Sequence, residues 1–159
     1  MSESKSPFVR VPIIALRDPD LTLLCLRDLA ILDHHHRGGK TGCLRSQASI
    51  AEQLGVSRES IVRAERKLRK NYIIRIRRGR SIWERKVKQF GAYGLVQVAA
   101  LTDKRFTKNA FRMLAGIAHG DRLGINGRHC FSDTKRLRDL TGIQSGISTE
   151  VARLVEWGY

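Results

Sequence analysis

Apolar residues fall three or four positions apart in two short runs that meet at Gly55. In the first run Ile50 and Leu54 share a face, and Ser46 stands where a helix N-cap belongs. In the second, Ile61, Ala64, Leu68 and Tyr72 fall on one side at about 100° per residue, behind a second capping serine, Ser57. Gly55 suits the left-handed position that ends a helix. The pattern predicts a helix ending at Leu54, a tight turn at Gly55-Val56-Ser57 and a second helix. The period then changes to two. Ile74 and Ile76 alternate with Arg75 and Arg77, Gly79 marks a turn, and a second extended stretch starts near Ile82. A β-hairpin directly after the second helix is predicted.

The pattern occurs twice. Laid over itself, the chain sets "FVRVPIIALRDPDLTLLCLRDLAIL" from Phe8 on "YGLVQVAALTDKRFTKNAFRMLAGI" from Tyr93, with Asp18 on Asp103, Thr22 on Thr107 and Arg27 on Arg112. The next loop is slightly longer in the second copy, and beyond it Cys43 falls on Cys130, Gly55 on Gly142 and Tyr72 on Tyr159. A duplication is expected, because the matches span a whole unit. Each copy opens with an extended apolar segment, Val9 to Leu16 or Tyr93 to Leu101. Asp18 or Asp103 then caps a helix, with Leu24, Leu29 and Leu32, or Phe111, Leu114 and Ile117, on its inner side. A loop with Gly and His and a short strand around Cys43 or Cys130 lead into the helix pair. The expected fold class is α+β, mainly α with small β-hairpins. The expected organisation is a flexible lead over residues 1–7, a first unit over 8–90 and a second over 91–159.

Charge narrows the function. Lys and Arg number 30 against 15 Asp and Glu, a net of +15. The stretch from Ser57 to Lys88 holds 13 Lys or Arg and 3 Glu, so it carries +10 of that total in about a fifth of the chain. On the second helix Glu59, Arg63, Arg66 and Lys70 lie opposite the apolar side, with Val62 beside them. A mainly basic outer stripe implies a polyanion partner, most often nucleic acid. No apolar run has the length of a spanning helix, and "MSESKSPF" lacks a signal-peptide core. Three cysteines without a CxxC pair fit a reducing cytoplasm. The expected location is cytoplasmic and nucleoid-associated, with no membrane partner.

The run Cys43-Leu-Arg-Ser46-Gln47, then Ile50-Ala51-x-x-Leu54-Gly55-Val56-Ser57-Arg58, then Ile61 and Leu68, resembles the helix-turn-helix of bacterial and phage winged-helix proteins. The leading "FVRVPIIALRDPDL" resembles the lead-in of phage replisome organisers and plasmid replication initiators, and the duplication resembles initiators with tandem winged helices. The resemblance covers most of the first copy and is loose in the second. It implies two tandem winged-helix domains and binding to double-stranded DNA. Arg58, Glu59, Ser60, Val62 and Arg63 then lie on the first turns of a recognition helix, where side chains reach base edges. Arg45, Ser46, Gln47, Arg66 and Lys70 suit phosphates. Arg75, Arg77, Arg78 and Arg80 suit the backbone or a narrow minor groove beside the wing.

The second copy departs from this. Gln144 to Tyr159 holds one Arg and two Glu, where Ser57 to Tyr72 holds six basic side chains and two Glu. The apolar face of Ile147, Val151 and Leu154 is out of step by one position with the alignment that sets Gly55 on Gly142. Lys135, Arg136, Ser145, Thr149 and Arg153, with Lys104, Arg105, Lys108 and Arg138, still allow DNA contacts. The second unit is therefore a weaker DNA reader or a module for self-association or for replication proteins. The chain stops where the first copy starts its wing, so a longer natural protein is expected.

Other chemistry is weakly signalled. In "DHHHRGG", His34 and His36 have the spacing of a rolling-circle nuclease pair, but His35 is not apolar and no acidic pair accompanies them. His34 to His36 with Cys43 lack a fourth zinc ligand. "GAYG" and "GINGRHC" lack the lysine and spacing of a phosphate loop. No enzyme, metal or cofactor is expected. The expected function is that of an origin-binding replication initiator or replisome organiser, the alternative a transcriptional regulator with the same parts.

Overall fold

Val9 and Val11 alternate with Phe8 and Arg10, and the alternation is that of a strand with one face buried. That strand, β1 (Phe8–Pro12), finds its partner far along the chain. It pairs antiparallel with β4 (Tyr93–Gln97), Val9 opposite Val96 and Arg10 opposite Leu95. The two segments are the ones that open the two copies. The structure, a computed structural model, describes residues 7–36, 42–123 and 134–159, with 121–123 described by their backbone alone.

Helix α1 (Ile13–Arg17) follows β1, then α2 (Leu23–His36), α3 (Gln47–Leu54) and α4 (Arg58–Asn71). Strands β2 (Ile73–Arg77) and β3 (Trp83–Val87) form the hairpin. After β4 come a 3-10 turn (Val98–Leu101), α5 (Lys108–Leu123), α6 (Thr134–Thr141) and α7 (Ile147–Glu156). The described residues thus form an α+β fold of seven α-helices and two antiparallel two-stranded sheets. Cys43 adds a single bridge to Arg85 of β3, a one-residue third strand. The strand expected around Cys130 and the lead over residues 1–6 lie outside the described residues.

Two expectations are corrected. The opening segments do not stay extended to Leu16 and Leu101. Each strand stops early, at Pro12 or Gln97, and winds into α1 or the 3-10 turn, which buries Ala15 and Leu16, or Ala100 and Leu101. Nor do Asp18 and Asp103 cap the next helix. Thr22 and Thr107 do, their hydroxyls accepting from the Cys25 and Ala110 amides at 3.3 and 3.1 Å. Asp18 and Asp103 instead close the preceding turns, accepting from the amides of Asp20 and Arg105, each at 2.9 Å.

The helix pair follows its local signals. The Ser46 hydroxyl accepts from the Ser49 amide at 3.0 Å, and that of Ser57 from the Ser60 amide at 3.3 Å. Gly55 ends α3 at φ +64°, and Gly142 sits at φ +70° after α6, a conformation that costs a residue with a Cβ about 1–2 kcal/mol. Buried apolar side chains of both copies merge into one cluster, from Leu16, Leu29, Ile61 and Leu68 to Phe111 and Leu154. The boundary expected at 90/91 is therefore crossed by the β1–β4 pairing and by the core itself.

Candidate nucleic-acid interface

Helix α4 buries Ile61, Ala64 and Leu68, so its opposite face is left to solvent. Arg58, Glu59, Arg63, Arg66 and Lys70 are exposed there, with Val62 and Ser60 half-buried at the margin. All five residues predicted to read bases lie in the first two turns of α4. The Ser60 hydroxyl sits 2.9 Å from that of Ser57 and accepts from the Arg63 guanidinium at 3.5 Å, which holds Arg63 along the helix start. Lys67, on the flank, donates to the Asp20 carbonyl at 3.2 Å.

The hairpin is locked to α4 from below. Glu65, fully buried, accepts from the Arg85 guanidinium at 2.7 Å and from the Gln47 carboxamide at 2.8 Å. One carboxylate thus ties α4 to β3 and to the start of α3. Gln47 was predicted at a phosphate; its amide is engaged with Glu65 instead. Asp28 of α2 is buried close by, and neither of its carboxyl oxygens has a hydrogen-bond partner among the described residues. Burial, then the Glu65 charge, push its pKa well above the usual carboxylate range, against the pull of Arg85.

A cleft of about 400 Å³ opens between the start of α3, the start of α4 and the hairpin. Arg45, Ser46, Arg58, Arg75 and Trp83 line it. Arg75 stacks on the Trp83 ring, 4.2 Å from its centroid, and Arg77 lies 6.0 Å from it. Desolvation lowers the pKa of Arg75, though the group remains a cation. Arg45 donates to the Gln53 side chain at 3.3 Å, and Arg80 is exposed at the hairpin tip.

The four hairpin arginines are not equivalent. Arg78 is ion-paired with Glu84, which also accepts from the Gly42 amide at 2.6 Å and faces Lys86 at 3.3 Å. These partners, the Arg78 hydrogen bond first, bring the Glu84 pKa down to about 2. Arg77 donates to the carbonyls of Gly79 and Arg80, both at 3.1 Å, and so braces the turn. Arg75 rests on the Trp83 ring instead, and Arg80 extends into solvent at the tip.

The second copy brings little basic surface to its helix pair. Lys135 and Arg136 are exposed at the start of α6, Ser145 precedes α7 and Thr149 is exposed on it. Arg153 is ion-paired with Glu150 at 3.0 Å. Arg105 is held by Asp103 at 2.6 Å, and Lys108 donates to the Pro19 carbonyl at 2.8 Å. The register slip has a visible cause. The turn from Gly142 to Ile147 is one residue shorter than from Gly55 to Ile61, and Gly158, at φ +84°, makes up the difference before Tyr159.

Sequence reasoning missed Arg85, Glu65, Asp28, Glu84 and Trp83. Only Trp83 carried a signal, an aromatic residue inside a basic run. His34 to His36 form the last turn of α2, and Cys43 is buried as expected of an apolar residue. Among the described residues no His, Cys, Asp or Glu cluster is arranged to hold a metal. No helix among them is long and apolar enough to cross a membrane.

No family model matches the chain, and no curated protein matches it in sequence.

Proposed function

We propose that the chain is a sequence-specific double-stranded DNA-binding protein of two tandem winged-helix units, with α4 as recognition helix and the β2–β3 hairpin as wing. One observation carries the reading. The solvent face of α4, the cleft beside it and the hairpin tip form one basic surface on which Glu59 is the lone exposed acid between Ser57 and Lys88. The other two acids of that stretch, Glu65 and Glu84, are buried in ion pairs with Arg85 and Arg78. The arrangement of helix, one-residue strand, helix, helix and hairpin (α2, Cys43, α3, α4, β2–β3) is consistent with the winged-helix plan.

In role, we read the protein as a plasmid or phage replication initiator or replisome organiser that works in the cytoplasm on origin DNA, by binding and not by catalysis. The resemblance of its opening segment supports that choice over an operator-binding regulator. The test is selection of sites from a random duplex pool by the full chain, followed by a salt titration on the recovered site. A recurrent motif and a steep fall of affinity with salt are expected, since each neutralised phosphate contributes about 0.9 to the log–log slope. A pool that yields no motif would overturn sequence-specific reading. Location of the motif within a replication origin rather than at a promoter separates the two roles.

A further inference from the structure

One face of the hairpin changes character along its length. In the β2–β3 register Ile73 lies opposite Val87, Arg75 opposite Arg85 and Arg77 opposite Trp83, so these six side chains share a face. Ile73, Arg85 and Val87 are buried on it. At Trp83 the same face emerges into water, and that residue stays 41% exposed beside the cleft between α3, α4 and the hairpin. Leu44 and Ile82 line the same cleft and are exposed as well. Three of the seven large apolar side chains left exposed among the described residues therefore meet here. Phosphates are held by cations and N–H or O–H donors, so a surface that met phosphates alone would have no use for this apolar patch.

Cations surround the patch. Arg45, Arg58 and Arg75 line the cleft, and no Asp or Glu does. The start of α3 lines it too, where the first amides of a helix carry partial positive charge. The Nε atoms of Arg75 and Arg85, both lining residues, are withdrawn from solvent and have no hydrogen-bond acceptor among the described residues. Buried donors of this kind call for an acceptor. The Arg75 guanidinium already rests on the Trp83 ring, 4.2 Å from its centroid. An indole and a guanidinium are both planes on which a nucleobase stacks.

We infer that the cleft binds one unstacked nucleotide, its base against Trp83, Leu44 and Ile82 and its phosphate between Arg45, Arg58 and the start of α3. The cleft volume, about 400 Å³, falls in the range of small-ligand sites, roughly 300–1,000 Å³. A base inside a duplex is stacked on both faces and offers Trp83 no plane. This contact therefore differs in kind from the reading of base edges by α4. The nucleotide is either free or extruded from a strand, and the chemistry that holds it is the same. The inference rests on the nucleic-acid reading of this surface, and gives a use to the apolar part that duplex contacts leave idle.

The test reads tryptophan fluorescence in the full chain. The sequence has two tryptophans, Trp83 and Trp157. Trp157 is half-buried and packs on Phe106, ring centroids 5.4 Å apart, so it serves as an internal reference. The chain is titrated with dAMP, with single-stranded pentadeoxyadenylate, with deoxyribose phosphate and with pentaglutamate. Saturable quenching by a nucleotide probe is expected, with none from the other two and none in Trp83→Phe. Quenching by dAMP makes a free nucleotide sufficient; quenching by pentadeoxyadenylate alone places the nucleotide in a strand. Trp83→Leu should weaken binding of the same probe in equilibrium dialysis about tenfold, the worth of one base–aromatic stack, at an unchanged thermal midpoint. Equal quenching by deoxyribose phosphate or pentaglutamate would reduce the cleft to an anion site and overturn the inference. Quenching that persists in Trp83→Phe would overturn it too. So would silence toward both nucleotide probes in a chain that holds the selected duplex. Failure to hold that duplex as well would overturn the nucleic-acid reading itself.

Discussion

Arg85 and Glu65 are both withdrawn from water, at 3% and 0% side-chain exposure, and each charge is tolerable only because the other is there. Arg85→Met leaves Glu65 buried beside Asp28, and should cost roughly 3–5 kcal/mol in urea unfolding. The double change Glu65→Leu with Arg85→Met should recover much of that loss, because it removes both desolvated charges; no recovery would mean the pair is held by packing alone. Asp28 has the opposite leverage. Its pKa in the fold lies above its unfolded value, so its contribution is fully present below the unfolded range, near 3.9, and is lost as pH rises through the folded pKa. Asp28→Asn should therefore gain stability relative to the parent as pH rises above about 4 and on through the raised folded pKa. A stability difference that does not change over that range would contradict the burial of an unpaired carboxyl.

At the scale of elements, the hairpin commits Arg77 and Arg78 to its own structure and leaves Arg75 and Arg80 for the proposed DNA contacts. Arg80 is exposed at the tip, so Arg80→Ala should flatten the log–log salt slope by about 1 and leave the thermal midpoint unchanged. Arg78→Ala strips Glu84 of its strongest partner and should lower the midpoint. The reverse pattern would exchange the two roles. This division was not legible in the sequence, where Arg75, Arg77, Arg78 and Arg80 look alike; only the cross-strand register sets Glu84 against Arg78. Local elements were legible, because their signals sit within a turn or two. Ser46, Gly55 and Ser57 mark the ends of α3 and α4 through hydrogen bonds to neighbouring residues. The partner of β1 lies in the other copy, beyond four helices and a hairpin, and no local pattern encodes it. Thr22 and Asp18 are both good caps, and only the geometry of the turn decides between them.

Across the whole molecule, Arg27 donates to the Asp103 carbonyl and Arg112 to the Asp18 carbonyl, each at 2.6 Å, and these bonds tie the two copies into one folding unit. The shared core and the β1–β4 ribbon predict a single cooperative thermal transition rather than two. Arg27→Ala combined with Arg112→Ala should lower that transition, because each arginine satisfies a carbonyl in the other copy. Two resolved transitions in the parent would contradict the account of one core. The repeat itself was legible once Phe8 was laid over Tyr93, but the joining of its copies was not. The antiparallel pairing that sets Arg10 of β1 opposite the equivalent Leu95 of β4 could not be read from the repeat.

The central claim is that the first turns of α4 read bases while the surrounding cations hold phosphates. Arg63→Ala tests it most directly, measured on the selected duplex and on a random duplex of equal length at one salt concentration. The account predicts a loss of roughly 1–3 kcal/mol on the selected site, a relaxed preference at one base pair and little change on random DNA. Equal weakening on both duplexes would make Arg63 a phosphate contact and remove α4 as the reading element.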